Sequence, residues 1–330
     1  MLKTPKFWYE NDIQSKMKSL ILFPFSMLWI LIIRFKISFT KEYKSKLKVI
    51  CIGNLTVGGT GKTPYAIYTF KILKELGYNP VFLTRGYGSK NKGPLEVKKS
   101  HKFEDIGDEA ILLSKVGTTI VSKNRSLGAK FIEKHNNNFN VIIMDDGLQN
   151  TQLKQDIKFL LIDKNLKFGN EFCLPAGPLR QPINLGMTDI DRIILTGNYK
   201  RKDTNFFKHF NIPIIISKIN VTNLPKIKDK NILAFCGLAN PNKFYQTLHD
   251  NGYNISFTKS FPDHYSYRKI DIDNLILKAN NHNLKLITTE KDYVKISKNN
   301  KLIHVLSIEM ELSVKDKSNL KLFLREKLNV

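Results

Sequence analysis

The chain is poor in cysteine, in acidic residues and in arginine. Its three cysteines, Cys51, Cys173 and Cys236, have no paired spacing. That excludes a disulfide scaffold and a CxxC zinc site, and it fits a reducing compartment. The seven histidines show no HExxH or similar pattern, so no zinc-hydrolase motif is encoded. No internal repeat is visible, which removes solenoids and propellers. Apolar residues make up 42% and charged residues 25%. This is globular composition and excludes a disordered, collagen-like or multispanning membrane protein. At about 150 residues per domain, 330 residues imply roughly two domains.

The shortage of acid leaves 53 basic residues against 29 acidic ones, a net charge of +24. Such a chain seeks anions: nucleic acid, an anionic membrane or a phosphorylated substrate. Only eight of the basic residues are arginine. The guanidinium alone offers a flat bidentate fork to phosphate, so the arginines are the better site candidates. Arg85, Arg125 and Arg180 fall inside the segments singled out below.

One uncharged run stands near the start. Leu20 to Ile33 reads LILFPFSMLWILII, with Lys16 and Lys18 before it and Arg34 and Lys36 after it. As a helix it would be about 21 Å long, short of the roughly 30 Å of a bilayer core. No small-residue cleavage site follows it. Three readings stand: a buried core helix, a helix lying in or on a bilayer with basic flanks on the headgroups, or a short span. The second is the expectation. Pro24 marks a kink or a first turn.

Lys46 to Gly53 is a short apolar strand pattern, and a helical pattern runs from Pro64 to Leu76. Between them lies Asn54-Leu-Thr-Val-Gly-Gly-Thr-Gly-Lys-Thr63. Strand, glycine turn and helix form the context of a phosphate loop. Gly58, Gly59 and Gly61 let the backbone curl so that its N–H groups, with those of Thr60, face an anion. The helix start adds its dipole. Lys62 would reach the β- and γ-phosphates and Thr63 would bind Mg²⁺. Thr56 stands where the strict motif has glycine. No NKxD guanine motif is present; the nearest string is Thr289-Glu-Lys-Asp292, which favours adenine.

Downstream, NVIIMDD ends at Asp145 and Asp146, as does a buried strand carrying a Mg²⁺ ligand at its C-terminal edge. The other reading is that one of the pair caps the next segment. Asp108, in Gly107-Asp-Glu-Ala110, opens a helical pattern. It is either a dipole-favoured first-turn residue or a base that orients an acceptor hydroxyl. His264 sits among turn residues in Phe261-Pro-Asp-His-Tyr265.

Strand-like runs alternate with helical stretches at roughly 63–76, 107–116, 125–135, 240–251, 269–280 and 315–328. This predicts an α/β protein with mostly parallel sheet flanked by helices, like a P-loop NTPase. The expected organisation is an N-terminal membrane-associating helix over 1–40, a P-loop kinase domain over 41–188, and a second, smaller α/β domain over 189–330. The Pro/Gly-rich loop Leu174 to Pro182 precedes the junction.

Eight motifs occur in order: GNLTVGGTGKTP, TRGYG (84–88), GDEA, DDGLQ (145–149), PAGPLR (175–180), CGLANPNKF (236–244), FPDHY and TTEKD (288–292). The set resembles the tetraacyldisaccharide 4′-kinase family, over nearly the whole chain. That family also carries Thr or Ser at the position of Thr56. The resemblance implies transfer of the ATP γ-phosphate to the 4′-hydroxyl of a tetraacylated glucosamine disaccharide 1-phosphate, with Mg²⁺, in lipid A biosynthesis. It implies a peripheral place on the cytoplasmic face of the inner membrane. By the same resemblance Lys62 and Thr63 hold phosphate and metal, Asp146 with Asp145 binds Mg²⁺, and Asp108 is the base, paired with His264. Tyr87, Arg125 and Arg180 meet the glycolipid. Asn150 and Gln181 depart from the family's His and Glu. No nucleic acid and no required protein partner are expected. The alternatives are a membrane-associated regulatory NTPase acting on a protein and a nucleic-acid-binding NTPase. The latter is weakened because no aromatic stacking pattern accompanies the basic residues.

Overall fold

The structure, a computed structural model, describes residues 4–134, 138–197, 201–225, 227, 231–296 and 300–328. The elements follow the alternation read above. After α1 (Ile13–Phe39) come β1 (Lys48–Gly53), α2 (Lys62–Glu75), β2 (Pro80–Thr84), β3 (Leu95–Glu96), α3 (Phe103–Ile106), α4 (Asp108–Ser114), β4 (Thr119–Val121) and α5 (Arg125–Glu133). Then follow β5 (Val141–Asp145), β6 (Ile157–Asp163), α6 (Ile183–Gly186), β7 (Arg192–Thr196), β8 (Ile214–Asn223), β9 (Asn231–Cys236), α7 (Pro241–Asp250) and β10 (Asn254–Ser260). The last are α8 (Lys269–Asn281), β11 (Lys285–Thr289), α9 (Glu290–Tyr293), β12 (Ile303–Leu312) and α10 (Val314–Leu328).

Among the described residues twelve strands form one sheet, ordered β10-β9-β11-β12-β8-β7-β6-β1-β5-β2-β4-β3. Only β12 with β8 and β3 with β4 pair antiparallel; the other pairs are parallel. Strands β1, β5 and β2 are near-continuous apolar runs buried on both faces, as a helix-covered parallel sheet requires.

The long β8 is the bridge. Its first half continues the β6–β7 sheet, and Ser217 to Asn223 pair with β12. Met310, Leu312 and α10 return to the core that contains Ile50, Tyr65 and Phe159. Residues 189–330 are thus shared. β7, the start of β8, the end of β12 and α10 pack with the phosphate-loop half. β9 to β11, α7 and α8 build two further cores.

Helix α1 corrects the length read from the uncharged run. It has 27 residues, about 40 Å at 1.5 Å each, and is long and apolar enough to cross a membrane. It is no core helix, because only 6% of its most apolar window is buried. Leu20 is 70% and Phe35 67% exposed. The face that docks carries Ser15, Ser19, Leu22, Ser26, Ile30 and Ile33, spaced three and four apart as one helical stripe demands. Ser26 Oγ donates to Cys173 O at 2.8 Å and accepts from Ala176 N at 3.0 Å. Trp29 Nε1 donates to Arg180 O at 3.0 Å. Pro24 lies inside the helix without ending it.

Candidate active site

Parallel strands open their C-terminal ends on one edge of a sheet. At that edge the neighbouring strands β1, β5 and β2 run into the glycine turn, into Asp145-Asp146 and into Thr84-Arg-Gly-Tyr-Gly88. The turn is conformationally built. Gly58 and Gly61 have φ of +120° and +88°, a region that side chains other than glycine's disfavour. A Cβ on Gly61 would also stand 2.6 Å from Met310 Cε. The turn is pinned to the proline-rich loop, since Val57 N donates to Pro178 O at 2.8 Å. Lys62 Nζ donates to Asn54 Oδ1 at 3.2 Å and lies 3.7 Å from Asp146 Oδ2. A cavity of ≈ 290 Å³ opens beside Gly58 and Gly59, walled by Tyr9, Val57, Leu166 and Ala239.

Thr63 Oγ1 donates to Asp145 Oδ2 at 3.0 Å. The other oxygen, Asp145 Oδ1, is buried and makes no hydrogen bond. Burial, with the charges of Glu109 and Asp146 nearby, pushes this carboxyl up to about 7 against the pull of Lys62 and Thr63. A hydroxyl and an unpartnered buried carboxylate oxygen, both hard donors, fit a Mg²⁺ ion completed by phosphates and water. No cluster of three or more His, Cys, Asp or Glu occurs among the described residues. Asp146 has the opposite surroundings. Burial would raise it, but Lys62 and Arg180 hold it at about 2. Arg180 NH1 donates to it at 2.7 Å and to Gln149 Oε1 at 3.2 Å.

Asp108 opens α4 and is 3% exposed. Gly107 before it has φ +89°. A Cβ there would meet Tyr87 O at 2.7 Å, so glycine lets the two loops touch. His264, 156 residues away, brings Nδ1 to 3.0 Å from both oxygens of Asp108. Its Nε2 is 3.2 Å from Lys291 Nζ, and Tyr87 lays its half-exposed ring 4.7 Å from the imidazole. Burial would raise the Asp108 carboxyl. The hydrogen bond from His264 and the charges of Lys291, His264 and Lys295 overcome this and hold it at about 2. The site therefore contains an ionised carboxylate backed by an imidazole, beside a phosphate loop and a metal-competent acid pair. That is equipment for moving a phosphoryl group to a hydroxyl.

Arg125, which the resemblance places against the glycolipid, is buried in the body. It is 2% exposed, and its NH1 donates to Ser122 O at 2.7 Å. Burial lowers it to about 10, while Asp146 and Asp145 pull the other way, so it stands behind the acid pair. Asn150 accepts from Gln152 N and Leu153 N, closing a local turn; Gln181 is buried. Sequence reasoning missed Lys291 and Lys295. The only signal was the TEKD string, which holds Lys291 but not Lys295 and was weighed as a base-recognition loop.

A sequence profile described as Tetraacyldisaccharide-1-P 4'-kinase matches residues 18–329. The chain is similar to the tetraacyldisaccharide 4'-kinase of Rickettsia felis, 36% identical over 322 residues, 97% of this chain and 96% of that one. It is also similar to that of Rickettsia bellii, 37% identical over 309 residues, 94% of each. The fold is similar to that of LpxK from Aquifex aeolicus solved in complex with ATP, at TM-score 0.75 and 28% identity, covering 94% of this chain and 99% of that one. With the motifs, the fold and these matches in agreement over almost the whole length, the chain belongs to the tetraacyldisaccharide 4'-kinase family.

Proposed function

We propose that the protein performs the tetraacyldisaccharide 4'-kinase step of lipid A biosynthesis with the residues assembled at the β1–β5–β2 edge. ATP places its phosphates on Gly58 to Thr63 and its adenosine in the cavity beside Gly58 and Gly59. Lys62 lies along the β- and γ-phosphates. Thr63 and Asp145 would hold Mg²⁺, with Asp146 beside them. That ion, when bound, offsets charge on the transferring phosphoryl group. Arg180 is drawn from Asp146 toward the incoming anion, and Arg125 keeps Asp146 ionised from behind. Asp108 accepts the proton of the 4′-hydroxyl as the hydroxyl oxygen bonds to the γ-phosphorus and ADP leaves. His264 holds the carboxylate and can take that proton onward. The observation that carries this reading is the carboxylate–imidazole contact of Asp108 and His264.

We further place α1 at the cytoplasmic face of the inner membrane, lying in the bilayer surface rather than across it. A span would have to leave the body, yet Ser26 and Trp29 tie α1 to the 173–180 loop. Its outward side is apolar, with Lys16, Lys18, Arg34 and Lys36 exposed at the flanks. Phe25, Leu28, Trp29 and Ile32 line an apolar groove of ≈ 260 Å³ with Leu174 and Pro175, suited to an acyl chain. The same loop carries Arg180, so the lipid surface and the phosphate site share one support. The test is to incubate the purified protein with γ-labelled ATP, Mg²⁺ and the disaccharide in detergent. Label is expected in the glycolipid. Release of labelled phosphate with no labelled lipid would refute the reading and favour a regulatory NTPase.

A further inference from the structure

Helix α9 and the residues just after it contain a buried ion pair that the phosphoryl transfer leaves unused. Lys295 is 1% exposed and Asp292 is fully buried. Asp292 is already well supplied. Its Oδ1 accepts from Tyr267 OH at 3.0 Å and its Oδ2 from Thr289 Oγ1 at 2.7 Å. Lys295 Nζ lies 2.8 Å from Asp292 Oδ1 and 3.9 Å from Asp108 Oδ2. Yet Nζ forms no hydrogen bond of acceptable geometry. Burying an ammonium is costly unless carboxylates compensate it, so a lysine held this way needs a reason. An apolar residue would fill the space without that cost.

The reason lies in how Asp108 is held. Its Oδ1 accepts from Glu109 N at 2.9 Å. His264 Nδ1 is equidistant from both oxygens, so the imidazole does not select which oxygen faces the acceptor. Lys295 Nζ approaches to 3.9 Å of Oδ2, the oxygen that Glu109 N does not bind. We propose that Lys295, anchored by Asp292, is a positioning residue for the base: it fixes the plane of the Asp108 carboxylate and keeps it anionic while ATP occupies the neighbouring site. This rests on Asp108 being the base.

Lys291 and His264 also favour the Asp108 anion, but the other charges around it oppose it or are engaged elsewhere. Glu109, on the same helix, and Asp263, beside His264, carry the wrong sign, as do Glu104 and Asp105 on α3. Lys291 is 3.2 Å from Asp263 and 3.9 Å from Glu109, so its charge is divided. On α9 Glu290 accepts from Ser307. Helix α2 brings Lys62, Lys71, Lys74 and Glu75; of these, Lys62 faces Asp146, Lys71 pairs with Glu309 and Glu75 with Lys317 and Lys321. Strands β2 and β4 bring no charge.

The test must separate positioning from mere packing, because Lys295→Met alone would strand Asp292 in the core. The double variant Lys295→Met/Asp292→Asn removes both charges and keeps an acceptor for Tyr267. It is expected to unfold in urea near the wild-type midpoint and to keep the KM for ATP. Its kcat should fall at least tenfold. Because an opposite charge within about 4–6 Å shifts a carboxylate by about 1–3 units, its rate should also fall more steeply than the wild type's between pH 8 and pH 5. Lys295→Arg retains the charge at an altered place, so kcat should fall with the wild-type pH profile. A double variant with wild-type kcat and pH profile, alongside an unstable Lys295→Met, would overturn the proposal. Asp108→Ala, assayed in parallel, separates the two levels. If that variant turns over normally, the base assignment itself fails; if it is inactive while the double variant is normal, only the role of Lys295 fails.

Discussion

Asp108 and Asp145 stand at the same edge of the same sheet, 3% and 1% exposed, and the protein treats them in opposite ways. Asp108 is surrounded by His264, Lys291 and Lys295 and held at about 2. Asp145 is crowded by Glu109 and Asp146, keeps one oxygen unpartnered and is pushed up to about 7. Burial acts alike on both, so the neighbours decide the charge. Asp108 already has its cations and lacks only a proton to accept. Asp145 lacks a cation. In the proposed reaction each receives what its surroundings withhold, one a proton and the other a metal ion.

The largest effect expected from this contrast is on turnover. Asp108→Ala should lower kcat by about 10²–10⁴-fold, the usual range for a lost general base, with the KM for ATP little changed. Steady-state assays with labelled ATP read this directly. Near-normal turnover would remove Asp108 from the chemistry and end the contrast. Asp145→Asn tests the other side. The Mg²⁺ concentration for half-maximal rate should rise by more than about 10-fold, since even a supporting group beside a metal ligand is worth that much. An unchanged Mg²⁺ requirement would mean the ion is held elsewhere.

A smaller effect lies in stability, and the two aspartates should differ in sign. The Asp108 carboxyl is lowered from 3.8 to about 2 in the folded chain. Its charge therefore stabilises the fold above the unfolded value, and the gain fades as pH falls from about 4 through 2. Asp108→Asn should cost on the order of 2 kcal/mol at pH 7, with the difference closing in acid. Asp145 is raised, so ionising it opposes folding increasingly between about pH 4 and 7. In metal-free buffer at pH 8, Asp145→Asn should be more stable than the wild type. Urea midpoints at matched slopes decide both. If both variants shift the same way, shared burial and not the neighbours sets these charges.

These contacts also explain what the sequence could disclose. Helix α2 was legible as 63–76 and is 62–75, because a glycine turn, an apolar period and Gly77 are all local signals. The same holds for α8 and α10. The real reach of α1 was hidden, because Ser15, Ser19, Lys16 and Lys18 broke the apolar run. The serines are the docked stripe and the lysines point outward, a distinction that exists only once a body lies alongside. Arg125 was named from the family likeness; its burial and its bond to Ser122 O had no signal in the sequence. The approach of His264 to Asp108 spans 156 residues, and no spacing rule encodes it, so only the family likeness pointed there. Lys295 had no signal at all, since its partner Asp292 sits in a string that matched another motif imperfectly. The two-residue β3 is too short to carry a pattern.

The comparison of partnered and unpartnered buried groups extends to a neutral one, and the smallest expected effect is there. Ser26 is 1% exposed on an otherwise outward helix, and its hydroxyl bonds both Cys173 O and Ala176 N. Ser26→Ala removes one oxygen and leaves two backbone groups of the 173–180 loop without that partner, which costs about 1–3 kcal/mol where water does not replace it. The urea midpoint should fall by that cost divided by the urea slope in detergent-free buffer, with turnover changed by less than about threefold, because Trp29 still holds Arg180 O and Arg180 still reaches Asp146. An unchanged midpoint would mean that α1 leaves the body in the absence of lipid and docks only at a membrane. Turnover measured on vesicles then becomes the informative quantity: a helix recruited by lipid would bring the 173–180 loop, and Arg180 with it, into place only where the substrate resides.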